Sequence, residues 1–158
     1  MIRVCFVCLG NICRSPTAEA VFGALVAENG LADHISFDSA GTSDYHIGEP
    51  ADRRSAQAAA RHGVTLRGRA RQFQAADFET FDYVVAMDRS NLDRLVEMAP
   101  SEGARKRISM LRAWDADADG ADVPDPYWSG RDGFELVFQI CRAGCTGLIA
   151  SIRSEHGI

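Results

Sequence analysis

Near its N-terminus the chain carries a cysteine and an arginine, Cys8 and Arg14, that enclose five residues. An apolar run over 2–7, a predicted strand, precedes the cysteine, and Ser15 and Pro16 after the arginine are typical of a helix start. A loop of this length can turn several backbone N–H groups inward, and the following helix adds the positive end of its dipole. This arrangement suits a tetrahedral dianion and favours a thiolate. The pattern therefore predicts that Cys8 is a nucleophile and that Arg14 grips a phosphoryl group with its planar fork.

The spacing of Cys8 and Arg14 also occurs by chance in many proteins, so its position in the chain decides its meaning. In a purely structural interpretation, Cys8 is a small buried apolar residue and Arg14 is a surface charge. The end of a strand that leads into a helix, however, is where open α/β sheets bind their ligands. The pattern therefore favours a phosphate-binding loop after the first strand.

Apolar runs and helical periodicity alternate along the chain. The predicted strands lie at 2–7, 35–39, 83–87 and 108–111. The predicted helices are one that follows the loop and ends at Asn29 and Gly30, two over 51–61 and 90–98, and a long C-terminal one whose apolar face runs from Val137 to Ile152. Residues 115–126 are predicted to form a long acidic loop. Alternating strands and helices predict an α/β fold with a parallel sheet.

The composition describes a globular protein and argues against several functions. With 158 residues, 46% of them apolar, the chain fits one domain over 1–158. The net charge of −5 argues against a nucleic-acid partner, and no apolar run approaches the roughly 20 residues that cross a bilayer. Five cysteines without disulfide-framework spacing, and no secretory signal pattern, indicate the cytoplasm. The four histidines lack metal-ligand spacing, so no metal is expected.

Residues 8–16, Cys-Leu-Gly-Asn-Ile-Cys-Arg-Ser-Pro, resemble the signature of the low-molecular-weight protein tyrosine phosphatases. Further motifs of this family follow in the expected order at 38–42, 70–72, 81–83, 87–91 and 125–127. The resemblance implies a three-layer α/β/α sandwich with a four-stranded parallel sheet. It also implies hydrolysis of phosphotyrosine in proteins, and of small aryl phosphates, through a cysteinyl-phosphate intermediate. The enzyme is expected to be a monomer that needs no cofactor or metal and does not insert into membranes.

The resemblance also selects the general acid and base. Phosphoryl transfer to Cys8 needs an acid for the leaving oxygen and then a base for water, and a single carboxylate can serve in both steps. The residues alone leave several carboxylates of one loop as alternatives to Asp125, namely Asp115, Asp117, Asp119 and Asp122. The resemblance favours Asp125, because it places the acid in Asp-Pro-Tyr, which occurs once. A simple turn before Pro126 is the structural alternative.

Several loop residues are predicted to bind phosphate. Asn11 tolerates the left-handed backbone that a tight anion loop often demands, and Gly10 offers free rotation about φ. Ser15 is expected to cap the helix, and the resemblance adds a hydroxyl beside the sulfur of Cys8. Cys13 has two interpretations: a small residue that points away from substrate, or a thiol that traps oxidised Cys8 as a reversible disulfide.

Aromatic side chains are predicted to form the walls of the substrate pocket. Tyr45, Tyr127 and Trp128, with Leu9 and Ile12 on the loop, would stack a phenyl ring and hold its phosphate deep in the pocket. Phosphoserine is too short to profit from that depth. Related bacterial phosphatases that act on phosphoarginine tend to carry a threonine at the position of Ile12, so the apolar side chain favours phosphotyrosine. Trp128 departs from the family's commoner second tyrosine.

In the resembling family a hydrogen-bond network supports the loop. It joins Asn11, Ser15 and Ser39 to a histidine just before the Ala-Arg-Gln segment. This chain has Gly68 at the histidine position, so Asp88, which resembles the family's histidine partner, is expected to meet an arginine or water instead.

Two other functions remain as alternatives. An arsenate reductase of the same fold would need further relay cysteines on a mobile segment, whereas residues 80–101 contain none and Cys141 and Cys145 lie on the apolar face of the last helix. A non-catalytic phosphotyrosine-binding module has no need for a nucleophile and an acid together. Cys5 and Cys8 are expected to face opposite sides of the sheet, so they form neither a dithiol nor a zinc site.

Overall fold

The computed structural model describes residues 1–127 and 129–158. Trp128, a predicted wall of the pocket, lies outside the described residues. The elements in chain order are β1 (Ile2–Cys8), α1 (Arg14–Glu28), β2 (Ile35–Gly41), α2 (Arg53–Ala60), α3 (Asp77–Thr80), β3 (Tyr83–Ala86), α4 (Arg89–Met98), α5 (Glu102–Arg105), β4 (Ile108–Met110), a 3₁₀ turn (Leu111–Trp114) and α6 (Arg131–His156).

The four strands form one parallel sheet in the order β2-β1-β3-β4. Helices cover both faces, so the predicted three-layer α/β fold with a four-stranded parallel sheet is confirmed. β1 lies inside the sheet, and all of its residues from Val4 to Cys8 are buried. This explains why its sequence is a near-continuous apolar run, interrupted only by the exposed Arg3.

Alternate residues of β1 pack into two separate cores. Phe6 and Cys8 belong to the core shared with α1 and α6, whereas Cys5 and Val7 pack with α4 and the segment around Phe73. Cys5 and Cys8 therefore do face opposite sides of the sheet. The carboxyl end of β1, where the predicted loop begins, meets the ends of β2 and β3.

The start of α1 differs from the prediction. The helix begins at Arg14 with Cys13 at the N-cap, and no side chain caps it. The hydroxyl of Ser15 lies inside the first turn and contacts Cys8, Asn11 and the carbonyl of Ala40 instead. The expectation that Ser15 caps the helix is therefore wrong, because the loop takes up the hydroxyl.

Three short elements were not predicted: α3, α5 and the 3₁₀ turn. Each has four residues, which is too short for apolar periodicity to reveal it. The predicted loop over 115–126 contains no helix or strand.

α6 is the one helix of the described residues that is long and apolar enough to cross a membrane, judged by length and composition alone. Half of that apolar stretch is buried inside the fold, where Phe138, Cys141 and Leu148 pack against the sheet and α1. Core helices of globular proteins can be equally long and apolar, so the length and composition of α6 are weak support for a membrane span.

Candidate active site

The loop after β1 is held from outside through its carbonyl oxygens. Backbone N–H groups of Thr42 and Ser43, just past β2, donate to the carbonyls of Cys8 and Leu9 at 2.8 and 3.0 Å. The N–H of Asp52, which caps α2, donates to the carbonyl of Ile12 at 2.7 Å. The ends of β2 and α2 thus turn the loop's acceptors away from its centre.

The loop's amide donors are left available. Within 1–127 and 129–158, no residue accepts a hydrogen bond from the backbone N–H groups of Leu9, Gly10, Ile12 and Cys13. Asn11 adopts the left-handed conformation, with φ at 56°, as its residue type allows. Free amides around a turn of this kind form a site for an anion.

Cys8 lies at the base of this loop with its side chain almost fully buried. Its Sγ lies 3.0 Å from the hydroxyl of Ser15 and accepts from the N–H of Asn11 at 3.3 Å. Both contacts can stabilise negative charge on the sulfur.

The guanidinium of Arg14 is held by groups from two segments outside the loop. Its guanidinium contacts Asp88 at 2.6 Å and the carbonyl of Val123 at 3.2 Å, and it lies 3.6 Å from a carboxylate oxygen of Asp125. Burial works against the charged form of Arg14, but Cys8, Asp88 and Asp125 outweigh it and raise the pKa of the guanidinium. The arginine that Asp88 meets in place of a histidine is therefore Arg14 itself.

Asp125 reaches the same pocket from the acidic loop. One of its oxygens accepts from the backbone N–H of Tyr127 at 3.0 Å, and the other faces Arg14. Its side chain is 44% exposed, so it can meet a substrate that enters from solvent.

One pocket of about 260 Å³ brings most of the predicted residues together. Its lining comprises Cys8, Leu9, Gly10, Ile12, Cys13, Arg14, Tyr45, Asp125 and Tyr127. Tyr45 is largely exposed at the rim, whereas Ile12 is buried. The pocket thus combines cationic and amide donors at its base with apolar side chains above them.

His46 also lines this pocket, and the sequence analysis did not predict it. Its Nδ1 is paired with the carboxylate of Glu49, and its ring lies 6.4 Å from that of Tyr127. The one sequence signal that could have placed His46 in the pocket was its position next to Tyr45.

The structure indicates a different reason for glycine at position 10 than the one predicted. The φ angle of Gly10 is not positive, so rotational freedom does not explain the glycine. A Cβ at this position would lie 2.9 Å from Cδ2 of His46. Glycine therefore allows the imidazole to pack directly on the loop.

The expected network around Asn11 is present, with a carboxylate at its end. The side-chain amide of Asn11 donates to Ser15 at 2.8 Å and to Ser39 at 3.0 Å, and Ser39 donates to Glu19 at 2.6 Å. Gly68, at the family's histidine position, lines a small cavity of about 40 Å³ beside these residues.

The other cysteines are buried. Burial raises the pKa of Cys13 and of Cys141 to about 12, and it also raises the pKa of Cys5 and of Cys145 well above the usual thiol value. Cys141 and Cys145 have no exposed surface, which disfavours a relay of thiols through α6. Among the described residues, no group of three or more histidines, cysteines or carboxylates is arranged to hold a metal ion.

Comparisons with known proteins agree with this geometry. The profile of the family described as low molecular weight phosphotyrosine protein phosphatase matches residues 3–157. A low molecular weight protein-tyrosine-phosphatase of Streptomyces coelicolor is 48% identical over 155 residues, which cover 97% of this chain and 94% of that protein.

Solved structures show the same fold. YfkJ from Bacillus subtilis has a TM-score of 0.92 at 45% identity, with 98% of this chain and 96% of that one covered. A protein tyrosine phosphatase from Entamoeba histolytica has a TM-score of 0.93 at 37% identity, with 99% of each chain covered.

The fold and these relatives define a hydrolase of the protein-tyrosine-phosphatase class. The chain belongs to the low molecular weight phosphotyrosine protein phosphatase family. The family resemblance read from the motifs is thereby confirmed.

Proposed function

We propose that this protein removes phosphate from phosphotyrosine in proteins, and from small aryl phosphates, by way of a phosphorylated Cys8. The observation that carries the proposal is the position of Cys8, Arg14 and Asp125 in the lining of one pocket.

In the first step the thiolate of Cys8 attacks phosphorus, and the bond from phosphorus to the tyrosyl oxygen breaks. Asp125 donates its proton to the departing oxygen, so the leaving group is a neutral phenol. The free amides of the loop and the guanidinium of Arg14 stabilise the three equatorial oxygens of the transition state.

In the second step Asp125, now a carboxylate, removes a proton from a water molecule that attacks phosphorus. The sulfur–phosphorus bond breaks, inorganic phosphate leaves and the thiolate returns. The Ser15 hydroxyl, 3.0 Å from the sulfur, stabilises the departing thiolate. Neither step requires a metal or cofactor, so chelators are expected to leave turnover unchanged.

The pocket supports selection of an aryl phosphate. Tyr45 and Tyr127 contribute aromatic walls, and Ile12 and Leu9 contribute apolar surface at the loop. A phenyl ring can pack among these side chains while its phosphate reaches the amides below. We expect phosphoserine to be a poor substrate, because its phosphate is too close to the peptide backbone.

A panel of matched phosphopeptides tests the proposal, with phosphotyrosine, phosphoserine and phosphoarginine at one position. We expect phosphate release from the phosphotyrosine peptide and none with Cys8→Ser. Preferential release from phosphoarginine would replace the substrate assignment. Turnover by the Cys8→Ser variant would remove Cys8 from the mechanism.

The two alternatives have distinct readouts. Arsenate-dependent consumption of reduced thioredoxin would indicate an arsenate reductase. A single burst of aryl alcohol without turnover would indicate a protein that traps its ligand. We expect neither, since the described relay candidates Cys141 and Cys145 are buried and the carboxylate of Asp125 lines the same pocket as Cys8.

A further inference from the structure

Glu19 is a half-buried carboxylate on the first helix to which the proposed mechanism gives no role. Its Oε2 accepts a hydrogen bond from the hydroxyl of Ser39 at 2.6 Å. In the described part of the chain it makes no ion pair within 4.0 Å. A half-buried carboxylate that makes no close ion pair is costly to desolvate, so its position beside the loop needs an explanation.

The hydrogen bonds between Glu19 and Cys8 have a fixed direction. The backbone N–H of Arg71 can only donate, and it donates to Oδ1 of Asn11 at 3.0 Å. The Nδ2 group of Asn11 therefore faces Ser15 and Ser39 and donates to both hydroxyl oxygens.

Each serine must then send its own proton elsewhere. The proton of Ser39 goes to Glu19. The proton of Ser15 has two acceptors, Sγ of Cys8 at 3.0 Å and the carbonyl of Ala40 at 3.3 Å. When Cys8 is a thiolate, the charged sulfur is the stronger acceptor.

We propose that Glu19 is a positioning residue which, through Ser39 and Asn11, orients the Ser15 hydroxyl toward the sulfur of Cys8. The carboxylate takes the proton of Ser39, so the Ser39 oxygen is free to accept from Asn11. Successive hydrogen bonds polarise one another, and an ionised acceptor at one end strengthens the chain to its other end. This role rests on the proposed function, because it matters only if Cys8 reacts as a nucleophile.

The surroundings of Glu19 act on its charge in both directions. Burial raises the pKa of Glu19 and Asp38 adds to the rise, whereas the hydrogen bond from Ser39 and the charge of Arg71 oppose it. The cavity beside it is also lined by Arg67 and Arg69. Because position 68 is glycine, no side chain from that position fills the cavity or competes for the Glu19 carboxylate.

The test measures two rates: hydrolysis of an aryl phosphate, and alkylation of Cys8 by iodoacetamide at neutral pH. We expect Glu19→Leu to lower both rates by about 3- to 10-fold. The variant loses a hydrogen bond to a charged group, and the loss reaches Cys8 only through neutral side chains. Glu28→Leu is the matched control, because Glu28 lies exposed on the same helix. It should change neither rate.

A double-variant comparison separates this role from a general loss of packing. In a Ser39→Ala background, Glu19→Leu should alter the two rates by less than about 2-fold, since the path is already broken. An equal loss in both backgrounds would overturn the proposal, as would unchanged alkylation in Glu19→Leu.

Glu19→Gln provides a second variant that keeps an acceptor oxygen and the side-chain volume. We expect it to retain about half or more of both rates at neutral pH. The acid limb of its kcat profile should be shallower than that of the wild type, because one ionisation is gone. Identical acid limbs would contradict the role. Alkylation requires no phosphatase activity, so it decides the role of Glu19 even if the phosphopeptide panel fails.

Discussion

Arg14 and Asp88 form a largely buried ion pair in which one carboxylate serves two elements. Nη1 of Arg14 lies 2.6 Å from Oδ2 of Asp88, while Oδ1 of Asp88 accepts from the N–H of Asn91 at 2.7 Å and caps α4. The orientation of the Arg14 guanidinium is therefore coupled to the start of α4.

The two functions of Asp88 can be separated by substitution. Serine is a good helix cap but too short to reach Arg14, whereas alanine does neither. We expect Asp88→Ser and Asp88→Ala to lose kcat/KM to the same extent, roughly 10- to 100-fold, as expected for a lost charge-assisted hydrogen bond. Asp88→Ala should be the less stable of the two by about 1 kcal/mol in urea unfolding, because it also loses the cap. Equal stability of the two variants would argue against the cap, and full activity of Asp88→Ser would argue against the coupling.

Asp125→Asn tests the proposed role of Asp125 as general acid without disturbing the loop. The amide keeps an oxygen for the N–H of Tyr127, which Asp125 now binds at 3.0 Å, but it cannot donate and recover a proton. We expect kcat to fall by about 10²- to 10⁴-fold with KM almost unchanged. Asp117→Asn, in the same acidic loop, is the control and should be fully active. A small effect of Asp125→Asn would return the other aspartates of the loop to consideration.

Peroxide treatment distinguishes the two interpretations of Cys13, a packing residue and a thiol that protects an oxidised Cys8. Peroxide converts the Cys8 thiolate to a sulfenic acid, and attack by the Cys13 sulfur forms a disulfide and releases water. Because the pKa of Cys13 is about 12, its thiolate fraction should rise about tenfold for each pH unit between 7 and 9, and disulfide formation should accelerate with it.

Mass spectrometry after mild peroxide treatment checks this expectation. The wild type should show a Cys8–Cys13 link and regain its initial activity with dithiothreitol. The Cys13→Ala variant should instead proceed to the sulfinic acid and stay inactive. If the link is absent from the wild type, Cys13 is a packing residue.

The ionised form of Glu19 should reduce stability at neutral pH. Its pKa is raised in the folded protein, so the folded state favours the protonated form. The stability contributed by that proton is complete below the usual carboxyl range and is lost as pH rises through the raised pKa. We therefore expect Glu19→Gln to unfold at a higher temperature than the wild type at pH 8. The gap should close below about pH 4, where the carboxyl is protonated in both states. A gap that does not change with pH would contradict the burial of this charge.

Gly68→His places the family's histidine beside the cavity at Glu19. A Cβ there meets nothing within 4 Å, so the side chain has room, but φ at 68 is +78°. We expect activity to stay intact or rise modestly, with a loss of stability of about 1–2 kcal/mol for the left-handed backbone. Kinetics and a thermal melt on one preparation measure both effects. A large loss of activity would show that position 68 is not equivalent to the family's histidine.

Much of the fold was predictable because its signals are local. The strands of the sheet are apolar runs, and three of the four were predicted to within one residue at each end; β2 continues two residues further, to Gly41. That extension arises from pairing with Cys8 on β1 and with Gln72, which are contacts distant in sequence. The loop after β1 was also predictable from local sequence, since seven consecutive residues contain its cysteine, its turn and its arginine.

The surroundings of the loop depend on contacts between distant segments. Local sequence patterns carry no information about which side chains meet across the sheet. Glu19 reaches Ser39 from a neighbouring helix, His46 packs on Gly10 from the segment after β2, and Ser15 turns from the expected cap toward the sulfur. The order of apolar and polar residues thus determined the sheet and the reactive loop, because each depends on neighbours in the chain. The orientation of the groups around the sulfur was decided by tertiary packing, because hydrogen bonds with exact directions form only once β1, β2 and α1 lie side by side.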